Sequence, residues 1–129
     1  MIFVDASLFM YFVGAAHPLR DEARAFFIHA RKRDLRLSTS AEVLQEILHR
    51  YLRTGRRRVA DAAFDLVNAT VSEIWPVERR DVELARKLSV RHPGLEARDL
   101  VHLACCLRRE PKRLVTFDRG LAAAWDSHR

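Results

Sequence analysis

Two aspartates follow short apolar runs in a way that would bring their side chains together in a folded chain. Asp5 comes directly after the run Ile2–Val4, and Asp118 comes directly after residues 114–117 (LVTF). Such runs are typical of strands buried on both faces of a parallel sheet. Both carboxylates would then emerge at the sheet edge where open α/β folds bind ligands. Each aspartate alone is also a good helix N-cap, so the coincidence carries more weight than either residue.

Two glutamates lie one turn apart in a helix predicted for residues 39–53. The segment TSAE, from Thr39 to Glu42, matches a capping box, in which the Glu42 carboxylate accepts from the backbone N–H of Thr39. Glu46 has no such local explanation, and its structural alternative is an exposed ion pair with Arg50. We therefore predict that Glu46 does chemistry and that Glu42 caps the helix.

A fourth acid, Asp99, lies in the first turn of the most apolar predicted helix, residues 97–109. An acid at this position favours the helix dipole, which is its structural alternative. A buried helix would also carry Asp99 towards the interior, where an unpaired carboxylate is costly. His102 is one candidate partner, although a lone histidine here is more often a packing residue.

Four carboxylates in one pocket would repel each other and have raised pKa values, and a divalent cation would relieve that repulsion. The sequence offers oxygen donors and no cluster of Cys or His at metal-ligand spacing. This donor set favours a hard ion, Mg²⁺ or Mn²⁺. A bound ion of this kind activates water and neutralises a leaving oxygen, which suits phosphodiester hydrolysis.

The composition favours a polyanionic partner. The 129 residues are predicted to form a single domain, 1–129, with 23 Lys and Arg against 17 Asp and Glu and a pI near 10.1. Such an excess of basic residues indicates nucleic acid as the first candidate for this partner. Arg56, Arg57 and Arg58 would begin a helix, where positive charge is mildly unfavourable, so they are the best candidates for contacting RNA phosphates.

Helices and strands alternate along the chain, without repeats or linkers. Helices are predicted for residues 7–14, 18–33, 39–53, 56–69, 80–92, 97–109 and 119–126, and strands for 2–4, 35–38, 71–77 and 114–117. Pro76 indicates that the third strand lies at an edge or ends there. The prediction is an α/β domain of three layers, with a small parallel sheet of about four or five strands.

No membrane or disulfide signal is present. Residues 6–16 are apolar, but no basic residue precedes them and they are too few to span a bilayer. The two cysteines, Cys105 and Cys106, are adjacent and fit neither a disulfide framework nor a zinc site, so we assign them no role. A cytoplasmic protein is the expectation.

Four motifs in this order resemble a PIN domain, and specifically the VapC-type toxins of bacterial toxin–antitoxin pairs. The motifs are VDAS at residues 4–7, SAEVLQEI at 40–47, ARDLVHLA at 97–104 and VTFD at 115–118. The resemblance covers essentially the whole chain. It implies that Asp5, Glu46, Asp99 and Asp118 are the metal-binding, catalytic acids, with Ser7 and Thr116 supporting them.

The same resemblance implies an activity and partners. VapC-type toxins are Mg²⁺- or Mn²⁺-dependent endoribonucleases, they commonly form homodimers, and a VapB-like antitoxin neutralises them. One alternative is a PIN-like module that binds RNA or protein without cutting, which the intact acids disfavour. Another is a phosphoacceptor signalling domain, which would require paired acids at the first strand and a Lys after a late strand. Neither feature stands out here.

Overall fold

Short strands and helices alternate along the chain, and the computed structural model describes residues 1–129. The strands are β1 (Ile2–Val4), β2 (Leu37–Ser40), β3 (Glu73–Trp75) and β4 (Arg113–Val115). The helices are α1 (Ala6–Val13), α2 (Pro18–Lys32), α3 (Ala41–Arg53), α4 (Arg57–Thr70), α5 (Arg79–Arg91), α6 (Ala97–Arg109) and α7 (Arg119–Ser127).

The four strands form one parallel sheet in the order β3-β2-β1-β4. In β1, Ile2 is in register with Leu37 of β2 and with Arg113 of β4. The predicted α/β fold with a small parallel sheet is confirmed, with four strands. Because β1 and β4 are parallel neighbours, their carboxyl ends lie at the same edge of the sheet. Asp5 and Asp118, which follow these two strands, therefore both lie at this edge.

Strand β2 runs two residues further than predicted, to Ser40 instead of residue 38. Its last three residues, Ser38, Thr39 and Ser40, are polar and fully buried. The hydroxyl of Thr39 donates to the backbone carbonyl of Val4 at 2.8 Å, and Ser38 donates to that of Ile2 at 3.4 Å. These bonds satisfy the buried hydroxyls and tie β2 to the central strand.

The third strand lies at the edge of the sheet, as Pro76 predicted, but it covers only Glu73–Trp75 of the predicted residues 71–77. Trp75 is buried and stacks on Phe3 of the central strand, with 5.3 Å between the ring centroids. The last strand is also shorter than predicted, ending at Val115 instead of residue 117. Thr116 and Phe117 are therefore free to contribute to the sheet edge.

The core contains 28 buried hydrophobic residues drawn from all four strands and all seven helices. Helix α5 packs against α6, α1 against α2, and α3 against both α4 and α6. The contact between α3 and α6 brings the helix of Glu46 against the helix of Asp99. None of the helices is long and apolar enough to cross a membrane.

Candidate active site

Asp5 is fixed at the end of β1 by two hydroxyl groups. Its Oδ2 accepts from Thr116 Oγ1 at 2.7 Å and from Ser7 Oγ at 3.0 Å. The residue is buried and stands at the N-cap position of α1, yet its side chain makes no capping hydrogen bond. Asp5 therefore does not serve as the helix cap that its position allowed, and its other oxygen faces the interior of the site.

Ser7 and Thr116 also hold the loop between β4 and α7. The backbone N–H of Phe117 donates to Ser7 Oγ at 3.1 Å, and that of Asp118 donates to Thr116 Oγ1 at 2.9 Å. Each hydroxyl therefore contacts both the Asp5 carboxylate and the backbone that leads to Asp118. The geometry makes Ser7 and Thr116 the link between the two strand ends.

Asp118 caps α7, which is the second role that the sequence allowed for it. Its Oδ1 accepts from the backbone N–H of Leu121 at 2.9 Å. One carboxylate oxygen is thereby committed to the helix, and the exposed residue keeps its second oxygen available for a ligand. Capping and ligand binding are thus compatible at this position.

Glu46 pairs with a histidine and not with Arg50. Its Oε1 lies 3.0 Å from Nε2 of His102, and the same nitrogen lies 3.6 Å from Oδ1 of Asp5. Since two carboxylates face Nε2, this atom must carry the proton, and it donates to Glu46. The exposed ion pair considered for Glu46 is therefore not formed.

His102 is the site residue that the sequence reasoning underestimated, because it was expected to be a packing residue. Its side chain is fully buried, its ring tilts against Phe3 at a centroid distance of 6.0 Å, and its Nδ1 has no hydrogen-bond partner. Burial alone would lower the pKa of His102. The hydrogen bond to Glu46 and the charges of Asp5, Glu46 and Asp99 outweigh it, so the pKa is raised. The sequence signal was the i, i+3 spacing from Asp99 to His102.

Asp99 is partly buried in the first turn of α6, and its pKa is raised to about 6. Desolvation is the largest cause, followed by the charge of Asp118; Asp5 and Glu46 raise it further, and only His102 opposes them. The charges of the other three predicted acids therefore raise the pKa of Asp99. Asp99 and Asp118 stand outside the tightest group, in which the candidate ligand atoms of Asp5, Glu46 and His102 lie within 4.8 Å of one another.

The predicted capping box at Thr39 is wrong. Thr39 belongs to β2, and the N-cap of α3 is Ser40, whose Oγ accepts from the backbone N–H of Val43 at 3.3 Å. The extra strand residues move the helix start by one position, so Glu42 falls one residue short of the third helical position that a capping box uses. Glu42 lies instead beside Glu96 and Arg98, in a separate shallow pocket.

Of the three arginines singled out in the sequence, one lines a cleft near the start of α1. Arg56 lines a cleft that also includes Ser7. Arg57 is exposed and its Nε lies 4.0 Å from the Asp61 carboxylate, while Arg58 is exposed. The predicted cluster is therefore divided, and only Arg56 lines the cleft that includes Ser7, a hydrogen-bond partner of Asp5.

The donor set fits a hard divalent cation. Asp5, Glu46, Asp99 and Asp118 supply carboxylate oxygens, and the pKa of Asp99 is raised first by desolvation and then by the negative charge of its acidic neighbours. His102 is a nitrogen within ligand distance, which corrects the expectation of an oxygen-only cluster. In this structure the Nε2–H group of His102 donates a hydrogen bond to Glu46, so His102 orients the Glu46 carboxylate. Oxygen donors and a charge excess suit Mg²⁺ or Mn²⁺.

Comparison with known proteins gives the family. A sequence profile of the PIN domain matches residues 2–125. Ribonuclease VapC23 of Mycobacterium tuberculosis is 55% identical over 127 residues, covering 98% of this chain and 100% of that protein. Ribonuclease VapC13 of the same organism is 45% identical over 120 residues, covering 93% and 92% of the two chains. The chain belongs to the PIN domain family and, within it, to the VapC ribonucleases.

Solved structures show the same fold. The crystal structure of VapC20 from Mycobacterium tuberculosis, described as a toxin that cleaves the sarcin-ricin loop, matches with a TM-score of 0.80 at 25% identity. The match covers 96% of this chain and 95% of that one. VapBC2 from Rickettsia felis, bound to a DNA fragment from its promoter, matches with a TM-score of 0.70 at 16% identity over 92% and 88% of the chains. The second likeness concerns the fold alone.

Proposed function

We propose that the chain is a single-domain, metal-dependent endoribonuclease that acts as the toxin of a toxin–antitoxin pair. The observation that carries this proposal is the convergence of acids from β1, α3, α6 and the end of β4 on one sheet edge. Asp5 and Glu46 face the same nitrogen of His102 there. Membership of the VapC ribonucleases supports RNA as the substrate.

In the proposed mechanism, Asp5, Glu46, Asp99 and Asp118 hold Mg²⁺ or Mn²⁺. When bound, such an ion supplies charge neutralisation and activation of water for phosphodiester hydrolysis. Thr116 and Ser7 hold the Asp5 carboxylate in one orientation through Oδ2. His102 orients Glu46 through Nε2. Burial and the charge of Asp118 raise the pKa of Asp99 in the metal-free protein, and a bound cation would relieve that cost.

The proposal includes partners. Arg56, with Arg57 and Arg58 contributing long-range charge, would contact RNA phosphates. A VapB-like antitoxin would neutralise the activity, which the VapC relatives and the VapBC2 fold neighbour support. A homodimer remains a prediction from the family resemblance, and a cytoplasmic location remains a prediction from the sequence composition.

The test is RNA cleavage by the purified chain, freed of any partner, in Mg²⁺, in Mn²⁺ and in EDTA. A circular RNA is a suitable substrate, because only an endonuclease can open it. We expect linearisation with either ion and none in EDTA or with Asp5→Asn. The variant should unfold at nearly the temperature of the parent, because asparagine keeps an oxygen for the Ser7 and Thr116 hydroxyls. Cutting in EDTA, or by Asp5→Asn, would contradict the proposal.

A binding-only PIN module is the competing function. It predicts that the chain binds RNA or the antitoxin but opens no circular RNA under any metal condition. The buried, paired geometry of Asp5 and Glu46 favours the nuclease, because a binding surface has no need to keep two carboxylates 5% and 19% exposed around one proton.

A further inference from the structure

An open cleft of about 500 Å³ adjoins the acidic site, and we refer to it as the Tyr11–Arg56 groove. Residues from α1, the α1–α2 turn, the end of α3 and the start of α4 line it. Those used below are Ser7, Tyr11, His17, Arg50, Tyr51 and Arg56. Ser7 is the residue that connects the groove with the candidate active site, because it lines the groove and its Oγ donates to Oδ2 of Asp5 at 3.0 Å.

One wall of the groove is a fixed aromatic platform. The Tyr11 ring lies 5.1 Å from the His17 ring and meets the Phe117 ring edge-on at 5.5 Å, measured between centroids. His17 is itself held in place, because its Nδ1 accepts from the backbone N–H of Leu19 at 3.0 Å. Tyr11 and Phe117 are half-buried and His17 is exposed. Rings that are already ordered lose little entropy when a base stacks on them.

The other wall carries positive charge that no salt bridge neutralises. Arg50 and Arg56 are exposed and form none of the salt bridges in the structure. The Arg56 guanidinium lies 5.9 Å from the centroid of the buried Tyr51 ring. Arg56 stands at the N-cap of α4 without making a capping bond, and a cation opposes the helix dipole there. An arginine at this position therefore does not stabilise the helix.

These two walls suit a nucleotide. A base stacks on aromatic faces, and its phosphates are attracted to guanidinium groups. A polyanion approaching the four acids also needs nearby cations to offset the repulsion. A base inside a duplex cannot reach the platform, since its faces are already stacked on its neighbours.

We propose that the Tyr11–Arg56 groove binds one unpaired nucleotide of a single-stranded RNA next to the phosphate being cut. Its base stacks on Tyr11 and His17, and its phosphates contact Arg50 and Arg56. This inference rests on the proposed ribonuclease function and adds to it a subsite for the nucleotide beside the cleaved phosphate. The principal competitor for the groove is a segment of a protein partner.

The test measures binding of a fluorescent eight-nucleotide RNA in Mg²⁺, using the Asp5→Asn chain so that the RNA is not consumed. Arg56→Gln and Tyr11→Leu are introduced on this background, with Arg79→Gln as the matched control because Arg79 is an exposed arginine on α5, 3.8 Å from Glu83 and outside the groove. A second RNA of the same length lacks its bases, and a third is a duplex. Affinities are measured over a range of salt concentrations.

We expect Tyr11→Leu to weaken binding of the intact RNA about five- to hundredfold and to leave the abasic RNA unaffected. We expect Arg56→Gln to weaken binding of both single strands and to reduce the salt dependence by about one counterion. Arg79→Gln should change affinity less than twofold, and the duplex should bind more weakly than the single strand.

Equal affinity of all variants for RNA would overturn the groove as a nucleotide site and favour a protein segment as its occupant. An equal effect of Tyr11→Leu on intact and abasic RNA would also overturn base stacking. Each of these results leaves metal-dependent cleavage by the parent chain untouched. Failure of the proposed function is seen separately, as a parent chain that opens no circular RNA.

Discussion

The Nε2 atom of His102 on α6 lies 3.0 Å from Oε1 of Glu46 on α3, although 56 positions separate the two residues in the chain. The same nitrogen lies 3.6 Å from Oδ1 of Asp5. One buried N–H group therefore stands between two carboxylates from different elements. It offsets part of their repulsion while no cation is bound, and it fixes the orientation of Glu46.

Replacing His102 by leucine should separate these effects. In EDTA we expect His102→Leu to lose about 1 to 3 kcal/mol of unfolding free energy, because the carboxylates lose their donor. Saturating Mn²⁺ should restore more stability to the variant than to the parent. RNA cleavage should fall about ten- to a hundredfold, as is typical when a residue that orients a ligand is removed. Chemical denaturation with and without Mn²⁺ measures the first two effects.

His49→Leu is the matched control, since His49 is an exposed histidine on α3. It should leave stability, metal response and cleavage unchanged. If His102→Leu behaved like this control, His102 would be a packing residue, as the sequence alone indicated.

Ser40 and Glu42 provide a second test, because the structure gives the cap of α3 to Ser40 and not to the capping box of Thr39 and Glu42. Ser40→Ala removes the hydroxyl that accepts from Val43 N–H and should cost about 1 kcal/mol. Glu42→Gln should change stability by less than about 0.5 kcal/mol and leave cleavage near normal. Thermal denaturation of both variants decides the capping role. An inactive Glu42→Gln would mean that the wrong glutamate had been assigned to the site.

Much of the site could be predicted because its acids follow local rules. Asp5 and Asp118 mark strand ends, and a parallel sheet must place them at one edge. The carboxyl end of β2 could not be predicted, because Thr39 and Ser40 resemble the start of a helix in sequence. The hydroxyls of Ser38 and Thr39 become acceptable in a buried strand only when Ile2 and Val4 offer carbonyl acceptors. The contact of His102 with Glu46 was likewise hidden, since it depends on how α3 packs against α6.

The raised pKa of Asp99 makes the stability of the metal-free protein depend on pH. In the unfolded chain this carboxyl titrates near 3.8, and in the folded chain near 6. Between these values the folded state binds more protons, so the free energy of unfolding should fall as the pH rises from about 4 to 6. The loss should be about 1 to 2 kcal/mol, because Asp99 is only partly buried and solvent screens its neighbours.

Asp99→Asn should remove this slope and make the metal-free chain more stable than the parent at pH 7. Saturating Mg²⁺ should also flatten the slope in the parent, because a bound cation favours the ionised carboxylate. Urea titrations in EDTA at several pH values give the comparison. A parent whose stability rises steadily over this pH range would contradict the assigned shift.

Asp81 should show the opposite pH dependence, in a different range. Its carboxylate is fully buried and accepts from Arg108 Nη1 at 2.7 Å and Arg109 Nη1 at 2.8 Å. Burial alone would raise the pKa of Asp81, but hydrogen bonds from Arg109, the Glu78 backbone and Arg108 outweigh it and hold the pKa at about 2. The unfolded value is 3.8, so this stabilisation is complete above pH 4 and is lost as the pH falls towards 2.

Asp81→Asn should therefore cost about 3 kcal/mol at pH 7, because it leaves two guanidiniums beside a neutral amide in the interior. Glu78→Gln is the matched control. The Glu78 side chain is 56% exposed and contacts the same arginines at 3.3 to 3.4 Å, so its loss should cost less than about 1 kcal/mol. Because Asp81 lies outside the acidic edge, the folded Asp81→Asn chain should keep the metal affinity of the parent, measured by calorimetry. Weaker metal binding in that variant would show that the α5–α6 pair also holds α6, with Asp99 and His102, in position at the site.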